Sequence, residues 1–196
     1  MAYRKTEAVQ ARIAQTREEL LQAAQRLVAS GGFSALHIAS LAEEAGVATG
    51  TVYRHFEDKG ELCREVFAVA SQRELDHMGR ALAADGSAPV RIEHAVRSWV
   101  RRARSGRVLA RALLSEPVHP AVEEERLRYR ARYAELLAGV LAEGVERGEL
   151  PAQDPRTSAA CIVGALGEAV LGPRFDPDPA DIVGFILSAV TRGALP

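Results

Sequence analysis

Between Ala45 and Phe56 the chain carries no carboxylate, and it sets Thr49, Gly50, Thr51, Tyr53, Arg54 and His55 close together. Hydroxyls, a guanidinium and an imidazole are the donors and acceptors that suit phosphate oxygens and base edges. A glycine among them lets a backbone come close to a duplex. Val52 and Phe56 stand four apart, which gives the same stretch one apolar side. Thr49–Phe56 therefore reads as a short helix with its apolar residues turned inward and a polar outer face.

Such a helix needs a brace. Ile38, Leu41, Ala42 and Ala45 form an apolar stripe on a preceding segment, Ile38–Ala45, and Gly46 supplies the turn between the two. Together they have the spacing of a helix-turn-helix, in which the first helix supports a second that enters the major groove of DNA. Upstream, Ile13, Arg17, Leu20, Ala24 and Leu27 place one mostly apolar stripe along a first helix that Gly31-Gly32 closes. Downstream, Leu62, Cys63, Val66, Phe67, Ala70, Met78 and Leu82 mark a long fourth helix over Lys59–Ala84.

The string Gly46-Val47, Gly50-Thr51-Val52-Tyr53, His55-Phe56 and Lys59, preceded by Leu41-Ala42-Glu43-Glu44-Ala45, resembles the signature of the tetracycline-repressor (TetR) family. The resemblance covers about residues 10–65; the remainder agrees in length and helical character. It implies a homodimeric, ligand-responsive transcriptional regulator, usually a repressor that a small molecule releases from a palindromic operator. Carried over by position, Thr49, Gly50 and Thr51 correspond to base or backbone contacts, Tyr53 and His55 to phosphate contacts, and Lys59 to a phosphate clamp. Arg54 joins this DNA-binding set. Two positions depart from the family pattern: His37 stands where Thr is common, and Ala48 where Ser often caps the recognition helix. His37 can hydrogen-bond phosphate through its imidazole. Alanine cannot cap, a loss of about 1 kcal/mol unless Thr49 caps from one residue later.

Past Asp85-Gly86-Ser87, further helical stretches span Val90–Arg104, Arg107–Leu114, Ala121–Arg147, Arg156–Leu171 and Pro179–Arg192, with prolines and glycines between them. The expected fold is all-α with about nine helices, divided into a DNA-binding domain at 1–58 and a C-terminal effector-binding and dimerisation domain at 59–196. Candidate effector-pocket residues are Phe67, Trp99, Leu113, Tyr129, Tyr133 and Cys161. Core packing is the alternative for Trp99, Tyr129 and Tyr133, because spacing does not distinguish a pocket wall from a core. Cys63 and Cys161 read as small buried hydrophobes. Gly164 and Gly167 lower helix propensity by nearly 1 kcal/mol each, which close packing is expected to offset. The last two helices are rich in Ala, Ile and Val, too apolar for the chain left to cover them. A partner's identical pair would complete a four-helix bundle, so a homodimer is expected there.

Arg97, Arg101, Arg102, Arg104, Arg107 and Arg111 lie in a stretch without an acid. They could form an anionic-ligand site or a supplementary surface facing DNA, but helical spacing scatters them over several faces, which favours a solvated surface matched by nearby glutamates. Over residues 1–64 basic and acidic side chains balance at eight each, so a DNA-binding surface must segregate its charge. Arg4, Lys5, Arg12 and Arg17 against Glu7 suggest an unstructured N-terminal arm able to follow the DNA backbone or a minor groove, with a solvated tail equally expected.

With 196 residues, 47% hydrophobic and 26% charged at a formal net charge of −1, the chain can bury a sizeable core and is no polybasic coat protein. Two distant cysteines exclude a disulfide framework and a CxxC metal pair. Neither a secretory signal nor a membrane span is legible, and a cytoplasmic protein is expected. Five dispersed histidines form no HExxH, and neither a P-loop nor a nucleophile elbow is present. No cofactor, metal or catalytic residue is expected. An all-helical enzyme, or a helical adaptor that has lost DNA binding, is the alternative.

Overall fold

The computed structural model describes residues 7–171 and 178–192. Among these the chain forms α1 (Glu7–Gly31), α2 (Ile38–Glu44), α3 (Thr49–Val52), α4 (Lys59–Leu82), α5 (Ala88–Ser105), α6 (Arg107–Leu114), α7 (Pro120–Glu146), α8 (Pro155–Leu171) and α9 (Pro179–Thr191). A single 3₁₀ turn, Phe33–Ala35, which the sequence reading did not resolve, joins α1 to α2. No strand occurs among the described residues. The all-α architecture is that expected from the helical periodicity.

Two apolar cores share α4. The first gathers Leu20, Ala24 and Val28 of α1, Phe33, Leu36, Leu41, Val52 and Phe56, and closes on Leu62, Val66 and Phe67 of α4. Ala112, Val122 and Tyr129, from the second half of the chain, pack into it as well. The second core is built on Met78 and Leu82 of α4, with Ile92, Val96, Trp99, Leu137, Leu141, Ile162, Leu166, Ile182 and Ile186. The apolar packing of the first core thus runs past residue 58 into α4, and that one helix contributes to both cores.

Details of the N-terminal half differ from the periodic reading. Ile13 is 37% exposed, and the buried stripe of α1 begins only at Leu20, because the first turns project beyond the packed elements. Arg12 and Arg17 belong to α1 rather than to an unstructured arm. Arg17 pairs with Glu65 and lies over the Phe56 ring at 4.8 Å. Arg4 and Lys5 lie outside the described residues.

In the C-terminal half Cys161 is exposed while Cys63 is buried. The reason is rotational: α8 turns Ile162 and Leu166 inward, and Cys161 sits about 100° round the helix from Ile162. Gly164 and Gly167 face no tight neighbour either; a Cβ added at either position would meet nothing within 4 Å. Both line a cavity, so open space rather than close packing accompanies them.

Candidate nucleic-acid interface and cavity

The turn before α3 has a specific backbone solution. Gly46 has φ +66°, its N–H donates to Glu43 O at 3.1 Å, and the Val47 N–H donates to Ala42 O at 2.9 Å. That pair of bonds is a Schellman closure, which glycine enters without a Cβ clash. It ends α2 abruptly and sets the direction in which α3 leaves.

The third helix is shorter than the apolar spacing predicts. Regular geometry ends at Val52, and Tyr53–His55 form a tighter turn in which Arg54 N–H donates to Thr51 O at 3.2 Å and His55 N–H to Val52 O at 2.9 Å. Phe56 is nonetheless brought back under Val52, and both are buried. Burying each stabilises the unit by about 1.5–3 kcal/mol. The N-cap, Ala48, makes no side-chain cap bond, and Thr49 does not replace it, being the first helical residue.

Thr49, Gly50, Tyr53 and Arg54 are exposed, with Thr51 and His55 half-buried. Tyr53 is 57% exposed, unusual for a large aromatic ring and therefore telling. Arg54 folds along the helix: its Nη2 donates to Thr51 Oγ1 at 3.3 Å and its Nε reaches Gly50 O at 3.5 Å. Burial first, then the guanidiniums of Arg17 and Arg54, push the His55 pKa below the ordinary histidine value. Its imidazole is thus held towards the neutral, single-donor form. His37 is the exposed N-cap of α2 and makes no side-chain cap bond. Lys59, exposed, opens α4 just after its cap, where the Asp58 carboxylate accepts from Glu61 N–H at 2.7 Å and the Glu61 carboxylate accepts from Glu57 N–H at 2.5 Å. That reciprocal pair fixes the helix start and the position of Lys59.

The arginine-rich stretch divides between faces. Arg97 pairs with Glu93 at 2.6 Å on the surface, and Arg102 turns inward to Glu74 at 2.9 Å. Arg101 and Arg111 are exposed.

Between α4, α5, α6, α7 and α8 lies a cavity of about 350 Å³, at the lower end of the usual ligand-pocket range of roughly 300–1,000 Å³. Phe67, Trp99, Leu113, Tyr129 and Tyr133 all line it. Cys161 does not, for the rotational reason given above. Tyr129 is anchored, its hydroxyl donating to Ala68 O at 3.0 Å and its ring meeting Phe67 edge-on at 6.0 Å between centroids. Tyr133 also faces the cavity, and burial raises its phenol pKa well above the ordinary value, so the hydroxyl stays protonated.

Two residues that periodicity did not single out join this cavity to the N-terminal unit. Arg126, on α7, is buried at the cavity wall. Its Nε donates to Leu113 O at 2.9 Å and its Nη2 to Glu116 O at 2.8 Å, so it ties down the C-terminal end of α6. The Glu116 side chain in turn accepts from the backbone of the 3₁₀ turn. An arginine among glutamates on a helix looks solvated in sequence, and no local signal distinguishes Arg126 from Arg128.

No group of three or more His, Cys, Asp or Glu side chains placed to hold a metal ion occurs among the described residues, and no helix there is long and apolar enough to cross a membrane.

The profile "Bacterial regulatory proteins, tetR family" matches residues 20–66, and "Tetracyclin repressor-like, C-terminal domain" matches residues 85–170. The chain is 26% identical over 195 residues to the probable HTH-type transcriptional regulator ArpR of Pseudomonas putida, covering 91% of this chain and 90% of that one. Among solved structures, the transcriptional regulator FadR from Bacillus subtilis, in complex with stearoyl-CoA, superposes with a TM-score of 0.75 at 20% identity, over 91% of this chain and 99% of that one. Reduced NemR of E. coli superposes with a TM-score of 0.78 at 17% identity, over 92% and 100%. These two likenesses concern the fold. Helix-turn-helix geometry, an exposed polar α3 and both family profiles lead to one conclusion: this chain belongs to the TetR family of transcriptional regulators.

Proposed function

We propose that the chain acts as a homodimeric repressor that a small molecule in the α4–α8 cavity releases from a palindromic DNA site. The observation that carries this reading is the polar ridge of Thr49, Gly50, Tyr53 and Arg54, exposed along α3 and the turn that follows it, while Val52 and Phe56 of the same stretch are buried. Thr49, Gly50 and Thr51 take the base edges, while Tyr53, His55, His37 and Lys59 take phosphates on either side. Arg54 reaches the groove by leaving Thr51 Oγ1 for a base or a phosphate.

Two copies joined through α8 and α9 place their α3 helices in successive major grooves, about 34–36 Å apart. What supports this pairing is the outer face of α8 and α9, which carries Ala160, Cys161, Gly184, Ala189 and Phe185, the last 67% exposed. Gly184 leaves a Cβ position with nothing within 4 Å, room for a second copy to approach closely.

An effector releases DNA only by preferring the protomer arrangement with the wrong spacing. The route runs from the cavity through Arg126 and the end of α6 to Glu116 and the 3₁₀ turn. Selection of bound sequences from random duplexes, followed by salt titration, tests the whole reading. It predicts an inverted repeat and a steep loss of affinity with salt. Bound sequences without two-fold symmetry contradict it.

A further inference from the structure

The cavity is apolar over most of its wall: Phe67, Met78, Trp99, Leu109, Leu113 and Leu137 contribute large hydrocarbon surfaces. One region differs. Arg102 enters it from α5, with Nε donating to Glu74 at 2.9 Å and Nη1 to Ser98 Oγ at 2.7 Å. Its Nη2 is buried and has no hydrogen-bond partner. Tyr133 lines the same cavity, within electrostatic range of Glu74 and Arg102, and its hydroxyl makes no hydrogen bond within the described residues. A buried guanidinium nitrogen without an acceptor is costly, and an apolar cavity with an unused hydroxyl alongside is where an acceptor would come from.

Charge narrows the class of acceptor. The Arg102 cation is already matched by Glu74, and Arg126 by Glu123 at 2.5 Å. Arg130 and Glu168, the remaining charged lining residues, are exposed and opposite in sign, and Tyr129 and Tyr133 keep their protons. A carboxylate delivered to Arg102 would sit near Glu74 as an unmatched negative charge in a largely apolar space. A carbonyl or hydroxyl oxygen meets the same donors without that penalty.

We propose that the cavity takes a compact, uncharged, mostly apolar molecule through a single acceptor oxygen seated between the Arg102 guanidinium and the Tyr133 hydroxyl. This rests on the reading of the cavity as the effector site. Small side chains at Ala103, Gly106, Ala110, Gly164 and Gly167 keep the remaining space open for a ring or a branched hydrocarbon.

Three naphthalenes of one shape separate the possibilities: 2-acetylnaphthalene, which carries a neutral oxygen, 2-ethylnaphthalene, which carries none, and 2-naphthoate, which is anionic. Calorimetric titration of the full chain is expected to rank the ketone about tenfold or more above either of the others. Tyr133→Phe is expected to erase about five- to tenfold of the ketone's advantage and leave 2-ethylnaphthalene unchanged. Arg102→Met should do the same, and Tyr133→Phe keeps the test decisive if that variant fails to fold. Gly164→Phe, which fills the cavity, should abolish binding of all three, and Trp99, the single tryptophan, reports occupancy by its emission. Equal binding of ketone and hydrocarbon, blocked by Gly164→Phe, overturns the oxygen seat and leaves the cavity reading standing. Binding indifferent to Gly164→Phe overturns the cavity reading itself. Preference for the naphthoate, or no binding of the ketone, overturns the seat.

Discussion

The carboxylate of Glu116, in the loop between α6 and α7, accepts the backbone N–H of Phe33 at 2.9 Å, across 83 positions of sequence. A second bond, from Ser34 N–H at 2.8 Å, makes the clasp bidentate. The two donors belong to a helical turn whose first N–H groups have no helical acceptor, so the carboxylate satisfies what the turn cannot. Arg126 holds the backbone of the same Glu116, so a displacement of α6 would have a bonded path to the base of the DNA-binding unit.

Glu116→Ala is expected to cost about 1–3 kcal/mol in denaturant unfolding, and to weaken the response of DNA binding to any cavity ligand. Gly32→Ala should act on the same joint. Gly32 has φ +73°, and a Cβ there would stand 2.5 Å from Glu116 Oε2, so strain and steric contact combine. Wild-type stability and undiminished ligand response in Glu116→Ala would show that the clasp transmits nothing.

On the DNA-binding face, phosphate and base contacts are expected to separate by type. Tyr53→Phe and Lys59→Ala should lower affinity by about five- to tenfold on every duplex alike, and Lys59→Ala should also reduce the salt slope. Substitutions at Thr49 or Thr51 should shift the preferred sequence instead. Thr51→Ala additionally frees Arg54 Nη2 from its 3.3 Å partner. Competition gel shifts against specific and random DNA measure both; the reversed pattern would overturn the assignment.

Acid sensitivity should trace to His55. Its folded pKa lies below the free value of 6.5 because of burial and the neighbouring Arg17 and Arg54. In the window between those two values the unfolded chain binds the proton that the folded chain resists. Stability is therefore expected to fall as the pH drops below about 6.5 and to level off beneath the folded pKa. Calorimetric Tm from about pH 7.5 to 5 should decline less in His55→Gln than in the wild type. Parallel curves would assign the effect elsewhere.

Phe185 offers a direct test of assembly. At 67% exposure on α9 it is the most exposed of the large hydrophobic side chains among the described residues. Phe185→Arg in two copies removes about 3 kcal/mol or more of apolar burial and sets like charges together, so dimer dissociation should rise at least about a hundredfold. Sedimentation velocity at micromolar concentration decides it; an unchanged dimer moves the interface away from this face.

The helices and the reading unit were legible because local rules govern them. Gly46 permits the Schellman turn, Val52 and Phe56 are four apart, and prolines open α7, α8 and α9. Those features act over a few residues, which is the range that periodicity and capping report. The early end of α3 at Val52 was not legible, since the apolar spacing continues to Phe56 whether the turn between is α or 3₁₀.

Sequence alone determined the helical class, the turn at Gly46 and the polar inventory of Thr49–His55. Only the tertiary structure decided that Arg102 faces a cavity and Arg97 the surface, that Cys161 points away from it, and that Glu116 grips Phe33. The physical reason is one of range: helix position fixes a side chain's angle about its own axis, whereas partners far apart in sequence meet only when α4, α6 and α7 have packed.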